Sequence, residues 1–421
     1  MDKKKLFYVL KKGSRAIKNM VPGSVRIYIK EKLLEEDVKR FADEREQPAL
    51  EKFDIGINLI GSIRAKNGLG QSCRLVAEQL KNSRLKFSVY NVNFDGNLQE
   101  NDQGYDSYIS DTLPYGINLF HINPCELGNV FLKMPEAWNE HYNIAFWLWE
   151  LEEFPDEWVK YCLLFDEIWT PSEFAGRGIR EKTNITVKTM PYMVMVTADE
   201  NCGRKSFDLP DDKFLYLVMY DSNSTTGRKN PQGVIEAYKK AFPVEKEDHG
   251  LVVKVNNAKE KDLYHLRRSL YGYQNVYFIT EVLEKRKVNS LIRCVDVVIS
   301  LHRSEGLGLV LAEAMGLGTP VIATNWSSNT EFMDAESCCM VKYDLVANKQ
   351  REGLYKKGCI WAEPDVKDAA AYMVRLKKDL TFYEEKKKKG EQLFKEKFNQ
   401  ERLVSLWREN VLRIVGENKK D

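Results

Sequence analysis

The sequence predicts an α/β protein made of two doubly wound domains, and two observations carry this prediction. Strand-like apolar runs alternate with helical segments along both halves of the chain, as in FDIGINLIGS at residues 53–62 and VVIS at 297–300. Glycine-containing loops follow strands in both halves, at the sheet edge where such folds bind ligands. The chain has 421 residues, which is too long for one ordinary core. We therefore expect two domains that face each other across a cleft.

The composition is that of a globular protein with reduced thiols. Charged residues make up 30% of the chain and the formal net charge is +2, which argues against a nucleic-acid-binding protein that depends on overall charge. The eight cysteines form no C-x-x-C pair, so we expect no disulfide framework. No apolar run is long enough to span a bilayer, and the N-terminus lacks the apolar core of a signal peptide. We expect a cytoplasmic protein.

Composition divides the chain into four predicted segments: 1–50, 51–198, 199–398 and 399–421. In the first, basic residues surround apolar positions between Leu6 and Met20 at helical spacing, and a second helix is expected over 29–45. The basic helix can lie on an anionic membrane surface or pack on the protein, and both interpretations stay open. The polar stretch 198–212 is the expected interdomain linker. A loop is expected after Tyr343, and helices over 364–378, 382–398 and 401–415.

Residues 297–332, VVISLHRSEGLGLVLAEAMGLGTPVIATNWSSNTEF, form the most informative stretch. It predicts a strand, a glycine loop, a helix and a second strand, as in one βαβ step of a parallel sheet. Gly306 and Gly308 allow close backbone approach, and the amides at the helix start favour an anion. Two carboxylates, Glu305 and Glu313, bracket this place and can accept hydrogen bonds from vicinal hydroxyls. This combination fits a nucleotide sugar; the alternative is an acidic helix start stabilised by the dipole.

A basic loop, DSNSTTGRKNP at residues 221–231, precedes the first helix of the second domain. Arg228 and Lys229 stand just ahead of that helix, where cations are disfavoured unless an anion lies between them and the helix. The alternative is a solvated basic turn. Lys254 in LVVKVNN is expected to point out near the end of the next strand.

The first domain offers weaker signals. Its loop contains Gly68 and Gly70, but Cys73 stands where a dinucleotide fingerprint needs a third glycine, so a ligand-facing loop and a plain tight turn are equally open. His121 ends the predicted strand GINLFHINP, where a side chain would be exposed to the cleft; the alternative is a structural histidine. The run NIAFWLW is expected to be a strand followed by Glu150, which could face the cleft.

The motifs together resemble glycosyltransferase family 4, the retaining glycosyltransferases of GT-B fold, over residues 53–415. The resemblance is most specific in DSNSTTGRKNP, KVNN and SLHRSEGLGLVLAEAMGLGTPVIATNW with its E-x7-E pair. The first-domain motifs WELEEFPDEW and DEIWTPSEF are similar to those of family members that act in bacterial surface-polysaccharide biosynthesis. The resemblance implies two Rossmann-like domains facing across a cleft, and the segment 1–50 is expected to be an N-terminal helical appendage to them.

The resemblance implies donor-binding roles for the second domain. Glu305 would hold the donor sugar, and Glu313 the ribose hydroxyls. Arg228 and Lys229 would bind the diphosphate with help from Lys254. Backbone amides would contact the sugar and its phosphates at Gly306, Leu307, Gly308 and Leu309.

The resemblance also implies roles elsewhere in the chain. Gly70 would bring the first-domain loop against the phosphates, and His121 would sit near the sugar and the reacting oxygen. The base would lie near Thr280 and Leu283. The last helix, around Trp407, would cross back onto the first domain.

One position departs from the family pattern. Many members carry an arginine at the end of the strand before the RK loop, whereas this chain has Met219, Tyr220 and Asp221 there. One expected phosphate contact is therefore missing or is supplied by Lys254.

The implied activity is sugar transfer from a nucleoside-diphosphate sugar to a hydroxyl of a glycan or lipid-linked acceptor, with retention by front-face attack. No D-x-D pair and no His/Cys cluster with metal spacing occurs, so the expectation is a metal-independent enzyme without a cofactor. Rivals are a non-catalytic GT-B subunit that scaffolds or activates a partner glycosyltransferase, and a GT-B epimerase or phosphorylase. The intact Glu305/Glu313 pair and Arg228 with Lys229 favour the enzyme over a scaffold.

Overall fold

The computed structural model describes residues 23–93 and 102–417, with side chains from residue 31 onward. The predicted basic helix between Leu6 and Met20 lies outside these residues. Within them, no helix combines the length and apolar character needed to cross a membrane. The helices are α1 (Gly23–Glu44), α2 (Gly68–Asn82), α3 (Pro124–Lys133), α4 (Asp156–Val159), α5 (Glu173–Arg180), α6 (Thr226–Lys229), α7 (Pro231–Ala241), α8 (Glu260–Ser269), α9 (Lys285–Cys294), α10 (Leu309–Gly316), α11 (Val366–Lys378), α12 (Leu380–Lys397) and α13 (Gln400–Glu417).

The first domain is built on a parallel sheet with the order β2-β1-β3-β4-β5-β6. In β1, Ile57 and Leu59 belong to one core cluster and Ile60 to another, so the strand is buried on both faces, as parallel strands covered by helices are. The strands of this sheet are β1 (Asp54–Gly61), β2 (Phe87–Asn91), β3 (Tyr115–His121), β4 (Tyr142–Phe146), β5 (Glu167–Thr170) and β6 (Thr186–Thr189).

The second domain repeats this plan with a parallel sheet of order β12-β11-β10-β7-β8-β9. In β10, Val298 packs on one side of the sheet while Val297 and Ile299 pack on the other. The prediction of two doubly wound domains is therefore confirmed. The strands are β7 (Phe214–Asp221), β8 (His249–Asn256), β9 (Val276–Ile279), β10 (Val297–Ser300), β11 (Val321–Thr324) and β12 (Cys339–Val341).

Two terminal helices pack on the first domain. Helix α1 buries Leu34 and Val38 in the first-domain core, and Phe41 meets the ring of Phe131 edge-on at 5.3 Å. Helix α13 follows the second domain but buries Trp407 completely against the first, where its indole donates to the Pro191 carbonyl at 2.8 Å.

The chain departs from the sequence expectations in two places. The strand predicted over NIAFWLW ends at Phe146, because the Leu148 amide donates to the Asn123 side chain at 3.0 Å and draws the chain away from the sheet. The expected loop after Tyr343 is instead an antiparallel hairpin of β13 (Tyr343–Ala347) and β14 (Ile360–Pro364). Its connection reaches the first domain, where the Tyr355 ring lies 5.6 Å from that of Trp149.

Candidate active site

The carboxyl ends of the two sheets face a common cleft that contains two adjoining cavities. The first has a volume of about 380 Å³, and both domains contribute to its wall. The second has a volume of about 470 Å³ and also lies between the domains. The two cavities adjoin because they share the wall residues Asn67, Gly68, Met219, Leu309 and Val310.

Arg228 and Lys229 reach the first cavity because the short helix α6 ends sharply before α7. Asn230 separates the two helices with a φ of 50°, a left-handed conformation that asparagine tolerates. Its side chain accepts from the Gly233 amide at 3.1 Å and donates to the Leu301 carbonyl at 2.9 Å. Asn230 therefore caps α7 and fixes the two cations against the loop that follows β10.

Glu305 is the counter-ion of both cations. Lys229 Nζ lies 2.5 Å from Glu305 Oε1, and Arg228 Nη1 lies 3.3 Å from Oε2. Arg228 Nη1 also donates to the Ser304 carbonyl at 2.8 Å. Burial alone would raise the pKa of Glu305, but the charges of Lys229 and Arg228 lower it to about 2. The three predicted residues thus form one buried charged cluster on the cavity wall, in which a phosphate could replace the carboxylate as counter-ion.

The loop after Glu305 supplies the predicted backbone wall. Gly308 has a φ of 90°, which glycine adopts without strain, and α10 begins directly after it. Gly306 lies against the first domain, since a Cβ there would stand 3.2 Å from the Trp149 carbonyl oxygen. A helix start of this kind favours an anion. All four predicted residues line the first cavity: Gly306, Leu307, Gly308 and Leu309.

The second cavity is lined by Glu313 and Leu283, the residues expected near the ribose and the base. The Glu313 carboxylate is buried and forms an ion pair with Lys285, the first residue of α9. Sequence reasoning does not single out Lys285, although the KRK run at 285–287 marks it. Thr280 is exposed and lines neither cavity.

His121 does not reach the cleft, so the expectation of an exposed histidine is wrong. The side chain is fully buried, and its Nε2 lies 2.9 Å from the Ser72 hydroxyl, which also bonds the Tyr192 hydroxyl at 2.8 Å. Burial lowers the pKa of His121 to about 4, and the ring stacks on Phe146. Tyr192 lines the first cavity in its place, so His121 forms the layer behind the wall.

Gly70 also lies behind the wall rather than on it. Its amide donates to the Asn67 side chain at 2.8 Å, which caps α2. A Cβ on Gly70 would stand 2.1 Å from the Ala65 carbonyl oxygen, so the glycine is required for packing at the helix start. The cavity wall at this loop is formed by Asn67, Gly68 and Leu69.

Lys254 is buried within the second domain, contrary to the expectation that it points outward. Its Nζ donates to Asn256 Oδ1 at 2.5 Å and to the Glu281 carbonyl at 2.8 Å. Burial lowers its pKa to about 8. Lys254 lines neither cavity, so it supports the loop after β9 and does not replace the missing family arginine.

Two further features shape the first cavity. Glu150 faces the cleft, with Oε1 3.6 Å from Arg228 Nη2 and Oε2 accepting from the Tyr355 hydroxyl at 3.2 Å. At the position of the expected family arginine, Met219 and Asp221 line the cavity, and the Asp221 carboxylate accepts from the side-chain Nδ2 of Asn257 at 2.9 Å. Tyr355 lies on the hairpin that sequence reasoning misses.

Part of the second domain matches a known protein family. Residues 204–392 match the family described as "Glycosyl transferases group 1", a range that contains the charged cluster and the loop after it. The O-antigen biosynthesis glycosyltransferase WclY of Escherichia coli is 30% identical over 131 residues, which cover 31% of this chain. The alignment spans 34% of that relative, about a third of its length.

Solved structures extend the similarity to both domains. Sucrose-phosphate synthase of Thermosynechococcus elongatus superposes with a TM-score of 0.63 at 14% identity, over 86% of this chain and 100% of that one. The chain has the GT-B fold. HepE of Anabaena, in complex with UDP-glucose, superposes on this GT-B chain with a TM-score of 0.61 at 10% identity, over 86% and 100% of the two chains. The pneumococcal O-GlcNAc transferase GtfA, in complex with UDP and GlcNAc, gives 0.52 at 14% identity, over 73% and 62%.

Proposed function

We propose that this chain is a retaining glycosyltransferase of family 4 that moves a sugar from a nucleoside-diphosphate sugar to a hydroxyl of a glycan or lipid-linked acceptor. The observation that carries the proposal is the convergence of Arg228 and Lys229 on Glu305 at the start of α10, in a cleft between two domains. The family match over residues 204–392 covers all of these residues and supports it.

The adjoining cavities suit the two ends of such a donor. The first would take the diphosphate and the sugar, between the cations and the amides at 306–309, with Glu305 accepting from sugar hydroxyls. The second would take the nucleoside, with Glu313 near the ribose and Leu283 near the base. Because the cavities adjoin, one extended molecule could occupy both.

The main barrier of this reaction is the charge that develops on the leaving diphosphate. Arg228 and Lys229, fixed before substrate arrives, would stabilise that charge together with the helix amides. In the proposed front-face reaction, the bond from the anomeric carbon to the diphosphate breaks, the acceptor oxygen attacks from the same face, and the leaving phosphate takes the acceptor proton.

We also propose that the fixed cations remove the need for a metal ion. Among residues 23–93 and 102–417, no group of three His, Cys, Asp or Glu side chains is arranged to hold one. The test is donor turnover after EDTA treatment, which should equal that of the untreated enzyme. A loss restored by Mg²⁺ or Mn²⁺ would contradict metal independence.

The decisive experiment is a screen of UDP-, GDP- and dTDP-sugars that measures released nucleoside diphosphate. Removing one preorganised charge donor typically costs about 10²–10³ in kcat, so Lys229→Ala should show a loss of that order and Glu305→Ala should also lose turnover. Lys240→Ala, an exposed lysine of α7, is the matched control and should keep full activity. Wild-type rates in both cleft variants would refute the assignment. Failure to bind any of the three nucleoside diphosphates in calorimetry would favour a scaffold instead.

The proposal extends to the acceptor and to the place of action. The Escherichia coli relative acts in O-antigen biosynthesis, which motivates a cell-surface glycan or its lipid-linked precursor as acceptor. We propose that the enzyme works in the cytoplasm at the inner face of the membrane, with the segment 1–50 as peripheral contact through the basic residues within 1–22. Co-sedimentation with anionic liposomes should fall when residues 1–22 are deleted, and unchanged binding would contradict this role.

A further inference from the structure

The two domains meet at a second place, where a short segment of the second domain contacts the start of a first-domain helix. This segment, residues 327–331, follows β11 and contains the 3₁₀ turn Ser328–Glu331. The Glu331 carboxylate accepts from the backbone amides of Glu173 and Phe174 at 2.9 and 2.8 Å. A carboxylate at a helix start satisfies free amides and complements the dipole, so the second domain supplies part of the cap of α5.

The same segment holds the backbone of Glu305 from both sides. Ser327 Oγ accepts from the Glu305 amide at 2.9 Å, and Ser328 Oγ donates to the Glu305 carbonyl at 2.8 Å. Ser327 has a φ of 77°, which is costly for a residue with a side chain. Both hydroxyls are buried. This conformation of Ser327 accompanies the placement of both hydroxyls against the loop that bears Glu305.

A first-domain hydroxyl completes the connection. Ser172 Oγ caps α5 by accepting from the Ala175 amide at 3.2 Å. The same atom lies 2.9 Å from Ser328 Oγ and 3.0 Å from the Gly306 carbonyl oxygen. The Ser328 proton goes to the Glu305 carbonyl, so the single Ser172 proton can go either to the Gly306 carbonyl or to Ser328 Oγ. The start of α5 is therefore joined to the loop at residues 305–306 either directly or through Ser328.

We propose that Ser172, Ser328 and Glu331 are positioning residues that couple closure of the two domains to the backbone geometry of Glu305. Two arrangements are involved: the joined one seen here, and one in which the domains separate and these contacts break. In the joined arrangement the segment 327–331 is clamped between α5 and the Glu305 loop. Separation of the domains removes the contacts of the segment with α5 and makes the loop that bears Glu305 less restrained. The donor-binding role of Glu305 rests on the proposed function, whereas the coupling between domain closure and the Glu305 loop does not depend on it.

Hydrogen exchange measured by mass spectrometry on the full chain tests the coupling without any ligand. Glu331→Gln removes the charge and one acceptor at α5 while leaving Glu305 untouched. Exchange in peptides covering residues 301–311 should rise about fivefold, as expected when one hydrogen bond no longer restrains the loop. Glu157→Gln is the matched control, since Glu157 joins the domains through Lys356 at 2.7 Å without touching the segment. Its exchange at 301–311 should equal that of the wild type.

Two results of the exchange experiment would overturn the proposal. Faster exchange confined to residues 172–180 in Glu331→Gln, with 301–311 unchanged, would overturn the coupling. Equal acceleration by Glu157→Gln would overturn the assignment of the coupling to Ser172, Ser328 and Glu331, because the loss of any interdomain contact would then suffice. With a donor identified, Ser172→Ala and Glu331→Gln should raise the donor KM about fivefold with a smaller change in kcat. A wild-type enzyme that turns over no donor would refute the proposed function and leave the exchange result standing.

Discussion

Replacing Glu305 by glutamine removes the negative charge shared by Arg228 and Lys229 and nearly preserves the side-chain volume. The lowering of the Glu305 pKa from 4.5 to about 2 corresponds to roughly 3 kcal/mol in favour of the folded state at neutral pH. Breaking a buried ion pair by removing one partner typically costs about 3–5 kcal/mol, which is of the same size. We therefore expect Glu305→Gln to lower the free energy of unfolding at pH 7 by roughly 3 kcal/mol.

Urea unfolding of the wild type and the variant at several pH values measures this contribution. The folded-state pKa of Glu305 lies below the unfolded value, so the stabilisation is fully present above about pH 4.5 and is lost as the pH falls toward about 2. The difference in unfolding free energy between the two proteins should have the same value at neutral and at mildly acidic pH, and should shrink only below about pH 4.5. Glu401→Gln, at an exposed glutamate, is the control and should change stability by less than about 0.5 kcal/mol. Equal stability of wild type and Glu305→Gln at pH 7 would refute the charged cluster.

Three further predictions concern residues outside that cluster. Gly70→Ala should cost about 1–3 kcal/mol in unfolding free energy, because its Cβ would stand 2.1 Å from the Ala65 carbonyl oxygen. Gly68→Ala is the control and should leave the unfolding free energy little changed, since no atom lies within 4 Å of a Cβ at that position. Burial lowers the pKa of His121 to about 4, so this side chain stays neutral above about pH 5. The pH profiles of turnover for the wild type and for His121→Asn should therefore not differ by an inflection near pH 6.5. Trp407→Ala should lower the free energy of unfolding by about 3–5 kcal/mol in thermal or urea denaturation, because the indole is completely buried.

The fold is largely predictable from the sequence because parallel strands buried on both faces appear as continuous apolar runs. The run at 297–300 is such a strand, and it coincides with β10. Strand ends are less predictable, since they depend on distant partners. β4 stops at Phe146 because Asn123, on another strand's loop, captures the Leu148 amide. The hairpin β13–β14 is missed because its connection is long and polar, and its packing depends on the first domain.

The juxtaposition of Glu305 with the residues after it is predictable because they are adjacent in sequence. Glu305 and the residues at 306–309 lie in one loop, so one motif places them together. His121 and Lys254 are misplaced for a common reason. Each sits at or near the end of a strand, where a side chain can face the cleft, but Tyr192 covers His121 and the loop after β9 covers Lys254. Whether such a position is covered depends on tertiary packing that local sequence does not encode.

The burial of Trp407 in the first domain has a consequence for how the chain folds as it is made. Trp407 packs edge-on against Trp169 at 5.3 Å and bonds the carbonyl of Pro191, so these partners precede it by more than half of the chain. During synthesis the second domain can complete its own sheet before Trp407 leaves the ribosome. The domain that is translated first therefore completes the packing around Trp169 and Pro191 only after the end of the chain has been made.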